Sequence, residues 1–148
     1  MNKIVLIFGC ILSMLFCSTG VATAQAKDGT KQASAMPTMS SCIDECKKCK
    51  KMCEDTLAYC KKKGGKLAEG KLINRLKDCV ASCNLSADYM TRVSASHTKS
   101  CGFCAEICTA CAVACEEFKD DKQMKDCAEE CRRCADSCSK MAKMDMSH

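Results

Sequence analysis

From Met39 onward, residues of core character recur at alternating spacings of three and four, the rhythm that holds one face of a helix against a bundle axis. Four such stripes follow one another. The first is Met39, Cys42, Cys46, Cys49, Cys53, Thr56 and Cys60, and the second is Leu72, Leu76, Cys79, Cys83, Ser86, Met90 and Val93. The third is His97, Cys101, Cys104, Cys108, Cys111, Cys115 and Phe118, and the fourth is Met124, Cys127, Cys131, Cys134, Cys138 and Met141. Breaks separate them: Gly64-Gly65 through Gly70, Ser94 to Ser96, and Lys119 to Lys122, with Asp120 and Gln123 spaced as a capping box for the last helix. No segment after the leader alternates apolar and polar residues as a strand would. The pattern predicts helices near 40–63, 70–94, 97–118 and 121–143. Short connections between helices of similar length make neighbours antiparallel. The predicted fold is therefore all-α, an antiparallel up-down-up-down four-helix bundle with a cysteine-lined core. The flanking residues Lys47, Lys48, Lys50, Lys51, Glu129, Glu130, Arg132 and Arg133 are predicted to face solvent.

A different pattern occupies the N-terminus. Lys3 precedes an apolar run from Ile4 to Phe16, and a small-residue stretch then ends Ala22-Thr23-Ala24-Gln25-Ala26. This is the layout of a secretory signal peptide over residues 1–26, with cleavage after Ala24 or Ala26, and the run is short for a membrane span. Residues 27–38 are small and polar and read as a flexible leader, which leaves 39–148 as the bundle. The expected location is exported, periplasmic or extracellular, with no membrane association once the signal peptide is gone.

Composition makes the stripes unusual. The chain of 148 residues holds 18 cysteines, no tryptophan, two tyrosines and four phenylalanines. Loss of the signal peptide removes Cys10, Cys17 and Lys3, leaving 16 cysteines, all on the four stripes, and lowering the net charge from +5 to +4. That surplus is small and lacks aromatic interleaving, which argues against a nucleic-acid partner. Val, Ile, Leu and Phe number 13 from residue 39 onward, so hydrocarbon alone does not fill the interior.

Three chemistries could use a tube of thiols. Disulfides suit an exported cysteine-rich chain, yet a staple needs one partner at a chosen point, and bonds along a helix have poor geometry. Iron–sulfur or zinc sites are suggested by Cys46-x2-Cys49, Cys101-x2-Cys104, Cys108-x2-Cys111 and Cys131-x2-Cys134. Those sites, however, draw isolated ligand sets from loops, whereas these spacings run on without a break. The third is Cu(I), a soft monovalent ion selected by thiolate and thioether sulfur. Seven C-x3-C pairs place two sulfurs one turn apart: Cys42/Cys46, Cys49/Cys53, Cys79/Cys83, Cys104/Cys108, Cys111/Cys115, Cys127/Cys131 and Cys134/Cys138. Bridging thiolates would raise capacity to about one ion per cysteine, and the monovalent cations would neutralise the buried thiolates. The residues favour Cu(I).

With C-x3-C pairs on all four helices after a signal sequence, residues 39 to about 144 resemble the exported, cysteine-rich type of the four-helix-bundle copper storage proteins. The resemblance implies that Cys42, Cys46, Cys49, Cys53, Cys60, Cys79, Cys83, Cys101, Cys104, Cys108, Cys111, Cys115, Cys127, Cys131, Cys134 and Cys138 are all core ligands for many Cu(I) ions. It also implies a homo-oligomer, a tetramer. Copper should be sparser where Leu72 and Leu76 stand on the second stripe.

In this topology Met36, Met39, Met90, His97, Met141, Met144, Met146 and His148 gather at one end, and Leu72, Leu76, Phe118 and Met124 close the other. Thioethers bind Cu(I) without releasing a proton, so Met39, Met90, His97 and Met141 are candidates for a mouth feeding Cys42, Cys101 and Cys138. Gap-filling methionine is the plainer reading, above all for Met144 and Met146. No Ser/His/Asp set, paired carboxylates or phosphate loop is present, so no enzyme is expected. A disulfide-stapled helical protein and a low-stoichiometry copper chaperone are the alternatives to storage.

Overall fold

A computed structural model describes residues 37–144, all within the unit Ser34–His148. The signal-peptide reading, most of the leader, and Met36, Met146 and His148 lie outside the described residues. Four helices make up the fold: α1 (Met39–Lys63), α2 (Gly70–Thr91), α3 (His97–Glu116) and α4 (Lys122–Lys143), with a short 3-10 turn, Gly65–Ala68, between the first two. Each helix packs on its sequence neighbours, and α1 also packs on α4, so the four close into a ring. The antiparallel sense is visible in the sulfurs. Ascending α1 from Cys46 to Cys53 descends α4 from Cys138 to Cys127.

The helix boundaries have local causes. Thr38 caps α1 by accepting from the Ser41 N–H at 3.1 Å, and Lys61, Lys62 and Lys63 offset the carbonyl-rich end. Gly64 and Gly65 follow, both in the left-handed region (φ 74° and 60°), where a Cβ would be strained. Gly64 donates back to the Cys60 carbonyl at 3.0 Å. Asp121 opens α4, its Oδ1 accepting from the Gln123 N–H at 3.0 Å and the Met124 N–H at 3.3 Å. The cap is thus Asp121 and not the predicted Asp120. With Lys122 the first helical residue, only the residue before it can reach the orphan donors of the second and third positions.

Two other expectations are corrected. Val93 was placed on the second stripe, but α2 ends at Thr91 and Val93 is 71% exposed with φ 50°. The Ser94 N–H bonds the Tyr89 carbonyl at 2.8 Å and the Val93 N–H bonds Met90 at 3.1 Å. This is a Schellman ending with valine at the position glycine normally fills. Glu130 was expected in solvent and is 7% exposed, held by Arg133 while one of its oxygens stays buried without a partner. Phe118 lies beyond α3 and is half-buried.

All sixteen stripe cysteines are 0% exposed. The aliphatic side chains buried with them, other than alanine, are Leu67, Leu72 and Leu76, which cluster where α1 hands over to α2. A hydrogen-bonded set ties α1 to α4 at that same end. Tyr59 Oη donates to Asp121 Oδ2 at 2.6 Å, Lys63 Nζ reaches Tyr59 Oη at 2.8 Å, and Gln123 Nε2 donates to Thr56 Oγ1 at 2.9 Å. No helix among the described residues is long and apolar enough to cross a membrane.

A β-branched residue in the left-handed region costs about 1–2 kcal/mol. Val93→Gly should therefore raise the unfolding free energy by about 1 kcal/mol, since little apolar burial is lost there. Chemical denaturation of the apo protein measures it, and no gain would mean that Val93 is unstrained.

Candidate metal centre

The stripes point inward because a 3-4 spacing returns to the same helix face each turn. With four helices in a ring, the cysteine faces meet along the axis. Starting from the end where α1 begins, the sulfurs of Cys42, Cys101 and Cys138 form a first group, and those of Cys46, Cys104, Cys134 and Cys138 a second. Cys49, Cys83, Cys108 and Cys134 follow, then Cys49, Cys53, Cys79 and Cys131. Within each group every sulfur lies within 4.8 Å of the others. Consecutive groups share a member: Cys138, then Cys134, then Cys49. The four groups are therefore one continuous column.

Contacts along the column are close. Cys46 lies 3.4 Å from Cys138, Cys79 lies 3.5 Å from Cys108, and Cys83 lies 3.6 Å from Cys108. Within α3, Cys104 and Cys108 are 3.7 Å apart. Beyond the last group Cys53 meets Cys127 at 4.0 Å, and the thiols of Cys111 and Cys115 couple to Cys127. All sixteen are free thiols. Helical i, i+4 pairs thus contribute, but most close approaches join different helices.

Crowding governs ionisation. A thiolate gains when a neighbouring thiol donates to it, and the donor is held protonated in turn. Cys104 is held below the usual thiol range first because Cys108 donates to it, and Cys108 is held above that range first because of Cys104. Charge in the column therefore comes at a neighbour's expense. At the margins the balance is simpler. Burial pushes the Cys60 thiol up to about 11. Cys101 is pulled down by Cys138, but Cys42 and burial outweigh this and raise it to about 12.

The structure buries all sixteen predicted ligands and brings twelve of them into the four groups. Cys111, Cys115 and Cys127 lie beyond the last group, and Cys60 has Met124 Sδ at 3.7 Å as its sulfur partner. The four mouth candidates occupy one end, with Met90 and Met141 buried and Met39 and His97 half-buried. His97 Nδ1 lies 2.7 Å from the Ser94 carbonyl. As that oxygen can only accept, Nδ1 is the nitrogen that donates, and Nε2 is the one a metal would use in the neutral ring.

A column of buried, mutually bridging sulfurs calls for a soft, monovalent, repeating ligand. The sequence profile of the copper storage proteins matches residues 35–143. The chain belongs to this family. Among solved structures, a Nitrosospira multiformis protein is 36% identical with a TM-score of 0.67, covering 72% of this chain and 95% of its own. The Cu(I)-bound copper storage protein BsCsp3 is 29% identical with a TM-score of 0.66, covering 70% of this chain and 96% of that one. Apo copper storage protein 3 from Bacillus subtilis is 28% identical with a TM-score of 0.65, covering 71% and 99%. No curated protein matches the chain.

For this member of the copper storage family, several contacts that shape the column could not be read from the stripe pattern. Met124 was placed on the fourth stripe and read as closing one end, and the structure sets it against Cys60. The Tyr59–Asp121 bond joins positions 62 apart, and only the folded register brings them together. Ser86, on the second stripe, supports the core by donating to the Ser100 carbonyl at 2.9 Å.

The raised thiols set a pH dependence. In the unfolded chain a cysteine ionises near about 8.5. Where the folded value is higher, the folded state holds the proton longer, so stability is complete below about 8.5 and is lost as pH rises through the folded value. For Cys60 and Cys101 that window runs up to about 11 and 12. The apo protein should lose unfolding free energy steadily above about pH 8.5, while copper-loaded protein, whose ligating thiols have already given up their protons, should lose less. Denaturation curves of both forms across that range check this.

Proposed function

We propose that this protein stores Cu(I) at high capacity along its cysteine-lined core, with all sixteen stripe cysteines as ligands. The observation that carries the reading is the sharing of Cys138, Cys134 and Cys49 between successive sulfur groups. A thiolate that bridges two ions lets capacity approach the number of sulfurs. Each ion displaces about one thiol proton, so the filled core stays near neutrality and tolerates its burial. Storage is not a catalytic role, and the family is a storage family.

The stapled alternative fits the geometry poorly. Cys108 has Cys79, Cys83 and Cys104 at 3.5, 3.6 and 3.7 Å, so no single partner is marked out for it. A chaperone that passes on one ion needs one exposed pair, whereas these sulfurs are uniformly buried. Anaerobic titration of the reduced protein with Cu(I), alongside a free-thiol count, separates the three. Storage gives on the order of 16 equivalents by the bridging arithmetic. A handful of equivalents would indicate a chaperone, and few free thiols in the protein as isolated would indicate stapling.

The same reading assigns the loading end to Met39, Met90, His97 and Met141, next to Cys42, Cys101 and Cys138. Thioether and imidazole hold Cu(I) less firmly than thiolate and suit transfer. It also takes the protein to the periplasm or outside the cell on the strength of residues 1–26, and to a homotetramer on the family likeness. Replacing Met39, Met90 and Met141 together with leucine should slow copper loading several-fold and leave final capacity nearly intact. Stopped-flow loading at wild-type rate would remove the mouth from the scheme.

A further inference from the structure

Cys60 does not belong to the column that the other α1 cysteines build. Like Cys111, Cys115 and Cys127 it joins none of the four sulfur groups, but whereas those three meet other thiols, the sulfur it contacts is a thioether, Met124 Sδ at 3.7 Å. Both side chains are 0% exposed. On α1 the stripe position between Cys53 and Cys60 is Thr56, whose hydroxyl is occupied by Gln123 Nε2 at 2.9 Å. The two cysteines are thus separated by two helical turns, about 10.5 Å along the axis, with no sulfur between them on that helix. At the same end of the bundle the buried neighbours are hydrocarbon, with Leu67 on the 3-10 turn and Leu72 and Leu76 on α2.

One hydrogen-bonded pair sets the register of these two sulfurs. Tyr59, adjacent to Cys60 in the chain, donates to Asp121 Oδ2 at 2.6 Å. Asp121 Oδ1 in turn accepts from the Met124 backbone N–H at 3.3 Å. The last turns of α1 and the first turn of α4 are therefore locked together beside the pair. Methionine commonly fills a gap in a core; here its thioether is held against a thiol.

We propose that Cys60 and Met124 form a separate two-coordinate Cu(I) site at the leucine-lined end of the bundle, a thiolate–thioether pair distinct from the thiolate-only sites of the column. It rests on the reading of this protein as a Cu(I) store. On loading, the Cys60 S–H bond breaks, its proton leaves to solvent, and a sulfur–copper bond forms. Met124 adds a lone pair with no proton to lose, and copper remains Cu(I) throughout. The choice of ligands follows from charge. Inside the column, thiolates are shared among several ions, so two around one ion do not leave a net charge. At Cys60 the sulfur in contact is a thioether. The thiol whose charge it feels, Cys127, is already engaged with Cys53, Cys111 and Cys115, so a second thiolate taken on here would add an unshared negative charge at the leucine-lined end. One thiolate, one thioether and one monovalent ion sum to zero.

The test is anaerobic Cu(I) titration of the reduced protein against a chromophoric Cu(I) chelator, comparing wild type with Cys60→Ala, Met124→Leu and the double variant. Met124→Leu conserves volume, and helical circular dichroism verifies that each variant is folded. Each single variant should hold one equivalent fewer than wild type at matched chelator concentration. The double variant should also hold only one fewer, because both ligands serve the same ion. Wild-type retention in folded Met124→Leu, or a loss of two equivalents in the double variant, would overturn the pair while leaving storage intact. A wild type that binds only a few ions would overturn storage itself and this site with it.

Discussion

Sixteen thiols share one dry interior, and every other feature of the molecule accommodates that fact. A buried thiol is tolerated because it is small, polarizable and neutral, and packs against its kind at 3.4–4.0 Å. A buried thiolate without a partner is not. The column therefore has two comfortable conditions: all protons present, or the protons replaced by soft monovalent cations. Sulfurs shared between successive groups make ionisation at one position felt at the next, as Cys104 and Cys108 illustrate. A chain of ions is the natural complement to a chain of sulfurs.

A core of thiols supplies less apolar volume than leucine would, and the rest of the bundle compensates at its margins. Thr38 and Asp121 cap helix starts, glycines at 64 and 65 permit a tight exit from α1, and the Tyr59–Asp121–Lys63 set joins α1 to α4. The two ends are consequently unlike. At one, Leu67, Leu72 and Leu76 seal the axis beside Cys60 and Met124; at the other, Met39, Met90, His97 and Met141 surround the first cysteines. His97 is oriented by the Ser94 carbonyl so that Nε2 is the nitrogen a metal would use.

Much of this was legible in the residues. The spacing of three and four located all four helices within a few residues of their observed bounds and placed all sixteen stripe cysteines on inward faces. The failures are at the edges of the pattern. Val93 continued the spacing but fell past the helix end, where chain reversal and not packing decided its backbone. Asp120 was read as the cap of the last helix, but the first helical turn begins at Lys122, which hands the role to its neighbour Asp121. Glu130 looked like a solvent residue because charge predicts exposure; in the bundle it is 7% exposed and held by Arg133 one turn on in its own helix.

What the sequence by itself determined is the periodicity, and with it the fold class and the membership of the core. The helix has 3.6 residues per turn whatever surrounds it, so a stripe can be read from one chain segment alone. Which sulfurs meet is another matter. Cys46 with Cys138, Cys79 with Cys108, and Cys60 with Met124 depend on the axial offset and rotation of one helix against another. No local spacing encodes those offsets. They are fixed by caps, turns and the Tyr59–Asp121 bond acting together, and only the assembled bundle could turn four cysteine stripes into a connected column with a distinct sulfur pair at its end.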